Sequence, residues 1–271
     1  MPDRALPLAD CPDRLLAPIH GVLTDIDDTL THEGAIEPEA LEALARLRAA
    51  GVPVIAITGR PMGWSEAFAR PPPQGWPIDA IVAENGAVAL FAQGGVLHTE
   101  YAQDAAVRTH NARRLAEVAQ RVLREVPGAT LARDSAGRVT DIAIDHSEFT
   151  QLPPQHVDAV VAIMRTEGMN ATVSSIHVNG WFGEHDKRSG ARWIVQRLLG
   201  RDVEAECDRW AYVGDSTNDQ LMFEHYPFSV GVANLMRFAE QLQVWPAWLT
   251  RAERGRGFAE FAGRLLKARA R

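Results

Sequence analysis

The chain has 271 residues, 46% of them hydrophobic and 23% charged, enough for one large α/β domain or two smaller ones with a sizeable core. These fractions favour neither the disordered nor the membrane class, and a net charge of -7 argues against broad nucleic-acid binding. Cys11 and Cys207 have neither disulfide nor metal spacing, and no stretch reaches the roughly 18 apolar residues of a membrane helix, so a reducing, cytoplasmic setting without export or anchor is expected.

Residues 1 to 18, with four prolines, read as an irregular lead-in of unassigned role. The strand that follows runs directly into carboxylates and hydroxyls in Val22-Leu23-Thr24-Asp25-Ile26-Asp27-Asp28-Thr29-Leu30-Thr31. Period-two geometry lets Asp25 and Asp27 lean to one side, where their repulsion calls for a cation, a proton or hydrogen bonds. An acidic turn after a strand is the plainer alternative for this stretch taken alone. Pro38 then opens a helix with Leu41, Leu44 and Leu47 at helical spacing, and Gly51 closes it. Val52 to Ile57 is a buried strand ending on Thr58-Gly59-Arg60. Strand, helix, strand implies a parallel pair with a right-handed crossover, so both polar turns would lie where open α/β sheets place ligands.

Residues 61 to 77 suit a loop with one short helix, and 79 to 83 a strand. Glu84-Asn85-Gly86 carries a hairpin signal and is open to ligand contact as well. From 88 to 180 the rhythm changes to short strands (88 to 91, 96 to 101, 130 to 132, 139 to 144, 171 to 174, 176 to 179) with helices over 104 to 125 and 154 to 167. This predicts an inserted α+β module at 88–180, between core segments 1–87 and 181–271.

The core resumes with a helix from Lys187 to Leu199, Trp193, Ile194 and Leu198 facing inward. A lysine in a first turn opposes the helix dipole and must meet solvent or an anion. A strand over 209 to 213 ends in Gly214-Asp215-Ser216-Thr217-Asn218-Asp219. A strand at 229 to 232 and helices near 234 to 241 and 257 to 270 complete the pattern, the basic end from Arg251 reading as a solvated face.

Four polar clusters thus recur in the order Asp25/Asp27, Thr58, Lys187 and Asp215/Asp219, each at a strand end or helix start. In this the sequence resembles the haloacid dehalogenase superfamily of phosphohydrolases, whose motifs run DxDxT, Ser or Thr, Lys, and GDxxND. The resemblance implies an α/β fold, a Rossmann-like parallel-sheet core with an inserted α+β cap of the C2B type, the subclass that includes sugar-phosphate phosphatases and phosphomannomutase. It implies Asp25 as nucleophile and Asp27 as general acid and base. It also implies Mg²⁺ on the Asp25 carboxylate, the Asp27 backbone carbonyl and Asp215, with Asp219 a ligand or a partner of ligands. Thr58 and Lys187 would hold phosphoryl oxygens, flanked by Gly59 and Asn218 at the substrate.

Asp27 separates phosphoryl transfer from the family's dehalogenases and ATPases, whereas Asp28 stands where many relatives have Gly. Arg60, Glu84, Asn85 and Asn218 lie beside matched motifs and are open to substrate contact, turn or salt-bridge roles. His177 and Asn179 share one strand face, with Trp181 and Phe182 following. Such a rim would suit a sugar, although ordinary strand and hinge structure accounts for it more simply. The expectation is a Mg²⁺-dependent phosphatase of a small phosphate ester, most plausibly a sugar phosphate, as monomer or homodimer. The alternatives are a hexose phosphomutase and a non-catalytic phosphate sensor.

Overall fold

A computed structural model describes residues 5–270 of the chain. Its first elements are β1 (Leu6–Pro7), α1 (Asp13–Leu16), β2 (Gly21–Thr24), β3 (Thr31–His32), β4 (Ala35–Ile36), α2 (Pro38–Ala49), β5 (Val54–Ile57) and α3 (Met62–Ser65). Then come β6 (Ala80–Ala83), β7 (Val88–Gln93), β8 (Val96–Tyr101), α4 (Ala105–Glu125), β9 (Thr130–Leu131), β10 (Asp141–Asp145) and α5 (Pro154–Thr166). The last are β11 (Asn170–Val173), β12 (His177–Trp181), α6 (Lys187–Leu199), β13 (Trp210–Gly214), α7 (Gln220–His225), β14 (Phe228–Gly231), β15 (Trp248–Leu249) and α8 (Arg254–Arg269).

A nine-stranded sheet in the order β1-β15-β14-β13-β2-β5-β6-β7-β8 forms the core, parallel from β1 to β6. Its central strands are buried on both faces, so they read as continuous apolar runs. Neighbours along them divide between two layers. Val22, Val54 and Ile81 pack with Leu44 and Leu47 of α2 and Phe258 and Phe261 of α8. Leu23, Ile55 and Val82 pack with Ile194 and Val195 of α6 and Met222 of α7. Asp25, Thr58 and Asp215 therefore all leave the sheet at the carboxyl ends of adjacent parallel strands.

A second, four-stranded sheet, β11-β12-β10-β9, is antiparallel throughout. Helices α4 and α5 cover it with a separate core of Leu115, Val122, Val160, Met164 and Val178. Amphipathic α4 starts at Asp104, which accepts the Val107 N–H at 2.8 Å as an N-cap.

Several sequence expectations change. The strands at 88 to 101, assigned to the inserted module, belong to the large sheet: β7 pairs antiparallel with β6 and β8 with β7. Val88, Ala89, Leu90 and Phe91 are buried in the two core layers, which draws the hairpin to the core. The lead-in supplies the edge strand β1, parallel to β15, and Leu8 and Leu16 fill the core. Leu41 is exposed and Ala40 and Ala43 take the inner face of α2. The helix expected at 234 to 241 is a 3-10 segment over Ala233–Phe238, and the last helix starts at Arg254. Arg271 lies outside the described residues. Among the described residues no helix is long and apolar enough to cross a membrane.

Candidate active site

β2 ends at Thr24, but the ladder continues one step, the Asp25 N–H donating to the Val213 carbonyl at 2.9 Å. The chain then wraps around the Ile26 carbonyl, which accepts from the N–H groups of Thr29, Leu30 and Thr31 and from the Thr31 hydroxyl. Asp28 takes the left-handed conformation this wrap requires, with φ 54°, where Asp is tolerated. Both ends of Asp28 are tied to the C-terminal part of the chain. Its carbonyl accepts from Asn234 Nδ2 at 2.9 Å and its carboxylate from Arg254 Nε at 2.7 Å. Asp28 thus anchors the acidic loop to α8, and Arg254 is excepted from the solvated basic face.

Lys187 resolves the conflict with the helix dipole by meeting anions. Asp186 caps α6 by accepting the Ser189 N–H, and Lys187, 4% exposed, donates from Nζ to Asp25 Oδ1 and Asp219 Oδ1, both at 2.7 Å. Burial works against its charge, yet the two carboxylates win and hold its pKa above the ordinary value. Thr58 is fully buried, and its Oγ1 accepts the Arg60 N–H at 2.9 Å, leaving the hydroxyl proton to donate elsewhere. Gly59 lies beneath Asn179, where a Cβ would stand 3.1 Å from Asn179 Oδ1. Asn218 accepts from the Ser216 hydroxyl at 2.8 Å. Together with Asp25, Asp27, Gly59 and Arg60 it lines a narrow cleft roofed by Ser174 to His177 and Asn179.

One oxygen each of Asp25, Asp215 and Asp219 lie within 4.8 Å of one another. Burial and the neighbouring carboxylates raise the pKa of Asp25 and Asp215, with Lys187 opposing the rise at both. The three acids play different parts. Asp219 Oδ1 accepts from Lys187 and the Tyr212 hydroxyl, and Oδ2 from the N–H groups of Asp215 and Ser216. Four donors fill its lone pairs. Asp215 Oδ2 accepts from Asn234 at 3.1 Å, whereas its buried Oδ1 has no hydrogen-bond partner. A buried acceptor beside a second carboxylate fits a hard divalent cation.

A family model for haloacid dehalogenase-like hydrolases matches residues 22–117, the stretch holding Asp25, Asp27 and Thr58. Over that stretch the chain is similar to the haloacid dehalogenase-like hydrolases. It is 28% identical over 249 residues to a phosphoglycolate phosphatase of Methanothermobacter thermautotrophicus, covering 92% of this chain and 99% of that protein. Among solved structures, a Thermoplasma acidophilum protein superposes with a TM-score of 0.67 at 15% identity, covering 92% of this chain and 98% of the other. The sucrose-phosphatase of Synechocystis superposes with 0.64 at 17% identity, covering 90% and 97%. At such identities these two likenesses concern the fold.

The part of this protein least visible in sequence is the contact between its nine-stranded and four-stranded sheets. Arg60, 5% exposed, donates from Nε to both Asp27 oxygens at 3.0 and 3.1 Å. Its other nitrogens reach Asp134 at 3.1 Å and Glu148 at 2.7 Å in the four-stranded module. His177 Nε2 lies 2.9 Å from Glu148, and Asn179 donates to the Gly59 carbonyl at 3.2 Å. Arg138 donates to the same carbonyl at 2.9 Å and pairs with Asp141. Glu84, fully buried, accepts the N–H groups of Met62, Val139 and Thr140 and the Thr140 hydroxyl. Trp181 and Phe182 are buried: Trp181 Nε1 donates to the His185 carbonyl and Phe182 lies under the Arg114 guanidinium. Arg60 and Glu84 carried a signal by adjacency to the motifs, whereas Asp134, Arg138 and Glu148 carried none.

Proposed function

We propose that the protein is a Mg²⁺-dependent phosphatase acting on a phosphate monoester of a polar metabolite of sugar size, with residues 104–181 as its cap. The observation that carries this reading is the Lys187 ammonium 2.7 Å from Asp25 Oδ1, beside the unpartnered oxygen of Asp215. Lysine and carboxylates converge where a phosphoryl group and a cation would offset one another's charge, and Thr58 follows the end of the neighbouring strand β5. Asp25 and Asp215 would hold the cation with the Asp27 carbonyl. Asp219, its lone pairs filled, would position Lys187 and the Asp215 loop rather than ligate. The cation supplies charge stabilisation on the phosphoryl oxygens when bound.

In the proposed reaction an Asp25 carboxylate oxygen attacks phosphorus, the bond to the leaving oxygen breaks, and Asp27 gives that oxygen its proton. Asp27 then takes a proton from water, whose oxygen attacks the aspartyl-phosphate and frees Asp25 and inorganic phosphate. Lys187 and Thr58 donate to the non-bridging oxygens throughout.

A cavity of about 720 Å³ opens on the far side of Asp27, lined among others by His32, Arg60, His146, Phe149, Ile176 and Arg254. Its volume falls within the range of small-molecule sites, roughly 300–1,000 Å³, and its mixed polar and apolar wall supports a leaving group of sugar size. Asp27 stands between this cavity and the cleft at Asp25, the place for an acid that serves the leaving oxygen.

The test is phosphate release with Mg²⁺ across sugar phosphates, phosphoglycolate and other small esters, comparing wild type with Asp25→Asn. Hydrolysis lost in the variant is the expected result, and release unaffected by the substitution removes the nucleophile. Isomerised sugar phosphate without net release would indicate phosphomutase chemistry instead.

A further inference from the structure

The side-chain amide of Asn85 lies between the two elements assigned to phosphate, and its nitrogen has no hydrogen-bond partner among the described residues. Asn85 follows β6, is 2% exposed and adopts φ 55° and ψ 32°. Its N–H donates to the Thr58 carbonyl at 3.0 Å. The next residue, Gly86, presses on the Asp186 carbonyl so closely that any Cβ would collide with it. Asn85 is therefore clamped between the Thr58 turn and the first turn of α6, which carries Lys187. A Cβ on Gly59 would stand 3.3 Å from Asn85 Oδ1, so the amide also lies against the Gly59 backbone.

The amide nitrogen, Nδ2, is buried and has no hydrogen-bond partner. Turn geometry does not account for it, because glycine meets a left-handed position without burying an amide. Asn85 shares the wall of an open cavity of about 620 Å³ with Lys187 and Asn218, the two substrate-side residues of the later motifs. A neutral donor on the wall that Lys187 also lines, and tied through its own N–H to the Thr58 backbone, completes a set suited to a tetrahedral anion.

We propose that Asn85 is a further phosphoryl ligand, its Nδ2–H donating to a non-bridging oxygen of the group held by Thr58 and Lys187. This rests on the phosphatase reading and adds a residue that the four motifs do not include.

Two variants test it in the Mg²⁺-loaded protein, read by calorimetric affinity for inorganic phosphate, by kcat and KM on an ester active with wild type, and by unfolding temperature. Asn85→Gly keeps the left-handed turn and removes the amide. Asn85→Asp keeps the shape and sets a carboxylate against the anion. A hydrogen bond to a charged group corresponds to about tenfold or more in affinity. Phosphate affinity is therefore expected to fall at least tenfold in both variants, with kcat/KM falling alongside and the unfolding temperature of Asn85→Gly close to wild type. Wild-type phosphate affinity in both folded variants would overturn the assignment while leaving the phosphatase reading intact. Wild type that neither binds phosphate nor hydrolyses any ester would overturn both.

Discussion

Arg60 grips both carboxylate oxygens of Asp27 from Nε, at 3.0 and 3.1 Å, while its outer nitrogens hold Asp134 and Glu148 of the four-stranded module. One guanidinium thus fixes the proposed acid and the closure of the module over it. The orientation of Asp27 and the contact between core and module are joined in one guanidinium.

Replacing Arg60 by Ala leaves three partly buried carboxylates facing one another, a loss on the order of 3 kcal/mol for a broken buried network. Arg60→Lys should recover little, because an ammonium cannot span both oxygens of Asp27 and reach the module as well. In phosphate-release kinetics we expect kcat of Arg60→Ala to fall more than tenfold, with faster proteolysis of the module. A variant with wild-type kcat would separate Arg60 from Asp27.

Glu148 gives this closure a dependence on pH. Burial pushes its carboxyl up, but the His177 hydrogen bond and Arg60 prevail and hold its pKa at about 2. A folded-state pKa below the unfolded value near 4.5 contributes stability that is complete above pH 4.5 and is lost as pH falls toward 2. The contribution is on the order of 2 kcal/mol after allowance for its partial exposure. Denaturant unfolding of wild type and Glu148→Gln between pH 6 and 3 checks this, the stability gap expected to narrow as pH falls. A gap constant over that range would show that Glu148 is not titrating against Arg60 and His177.

The parallel core and the acidic strand ends were legible because each depends on neighbours in sequence. Val22 to Asp27 is a strand and its turn, and Asp186 to Lys187 a cap and a first turn. What joins distant segments was not. Arg60 meets Asp134 and Glu148 across 74 and 88 residues, and Arg254 meets Asp28 across 226. No local pattern encodes such pairs. The β7–β8 hairpin was misplaced for the same reason: its hairpin geometry is local, but its membership of the large sheet rests on pairing with β6 and on burial against both core layers.

The crowding of Asp25, Asp215 and Asp219 costs stability whenever no cation is bound. Asp215→Asn removes one charge and keeps an oxygen for the Asn234 amide. We expect the variant to unfold at a higher temperature than wild type in chelator, by roughly 1 kcal/mol or more. In Mg²⁺ the order should reverse, since wild type gains the binding free energy and the variant little. Chelation of wild type should also abolish phosphate release. Equal Mg²⁺-dependent shifts in the two proteins would exclude Asp215 as a ligand.

Module and core backbones approach closely at Gly63 of α3, where a Cβ would stand 2.9 Å from the Gly137 Cα. The obstacle is backbone beside the Glu84 carboxylate, which holds the N–H groups of Met62 at 3.0 Å and Val139 at 3.1 Å, so it cannot yield as a flexible side chain would. Gly63→Val should act as a wedge, displacing the module while leaving Asp25, Lys187 and Asp215 untouched on the core. The expected signature is a kcat/KM for ester hydrolysis lower by about tenfold, consistent with loss of closure over the site. A larger radius of gyration in solution scattering should accompany it, with Mg²⁺-dependent stabilisation unchanged. If kinetics and scattering both match wild type, the contact at Gly63 does not control how the module sits on the core.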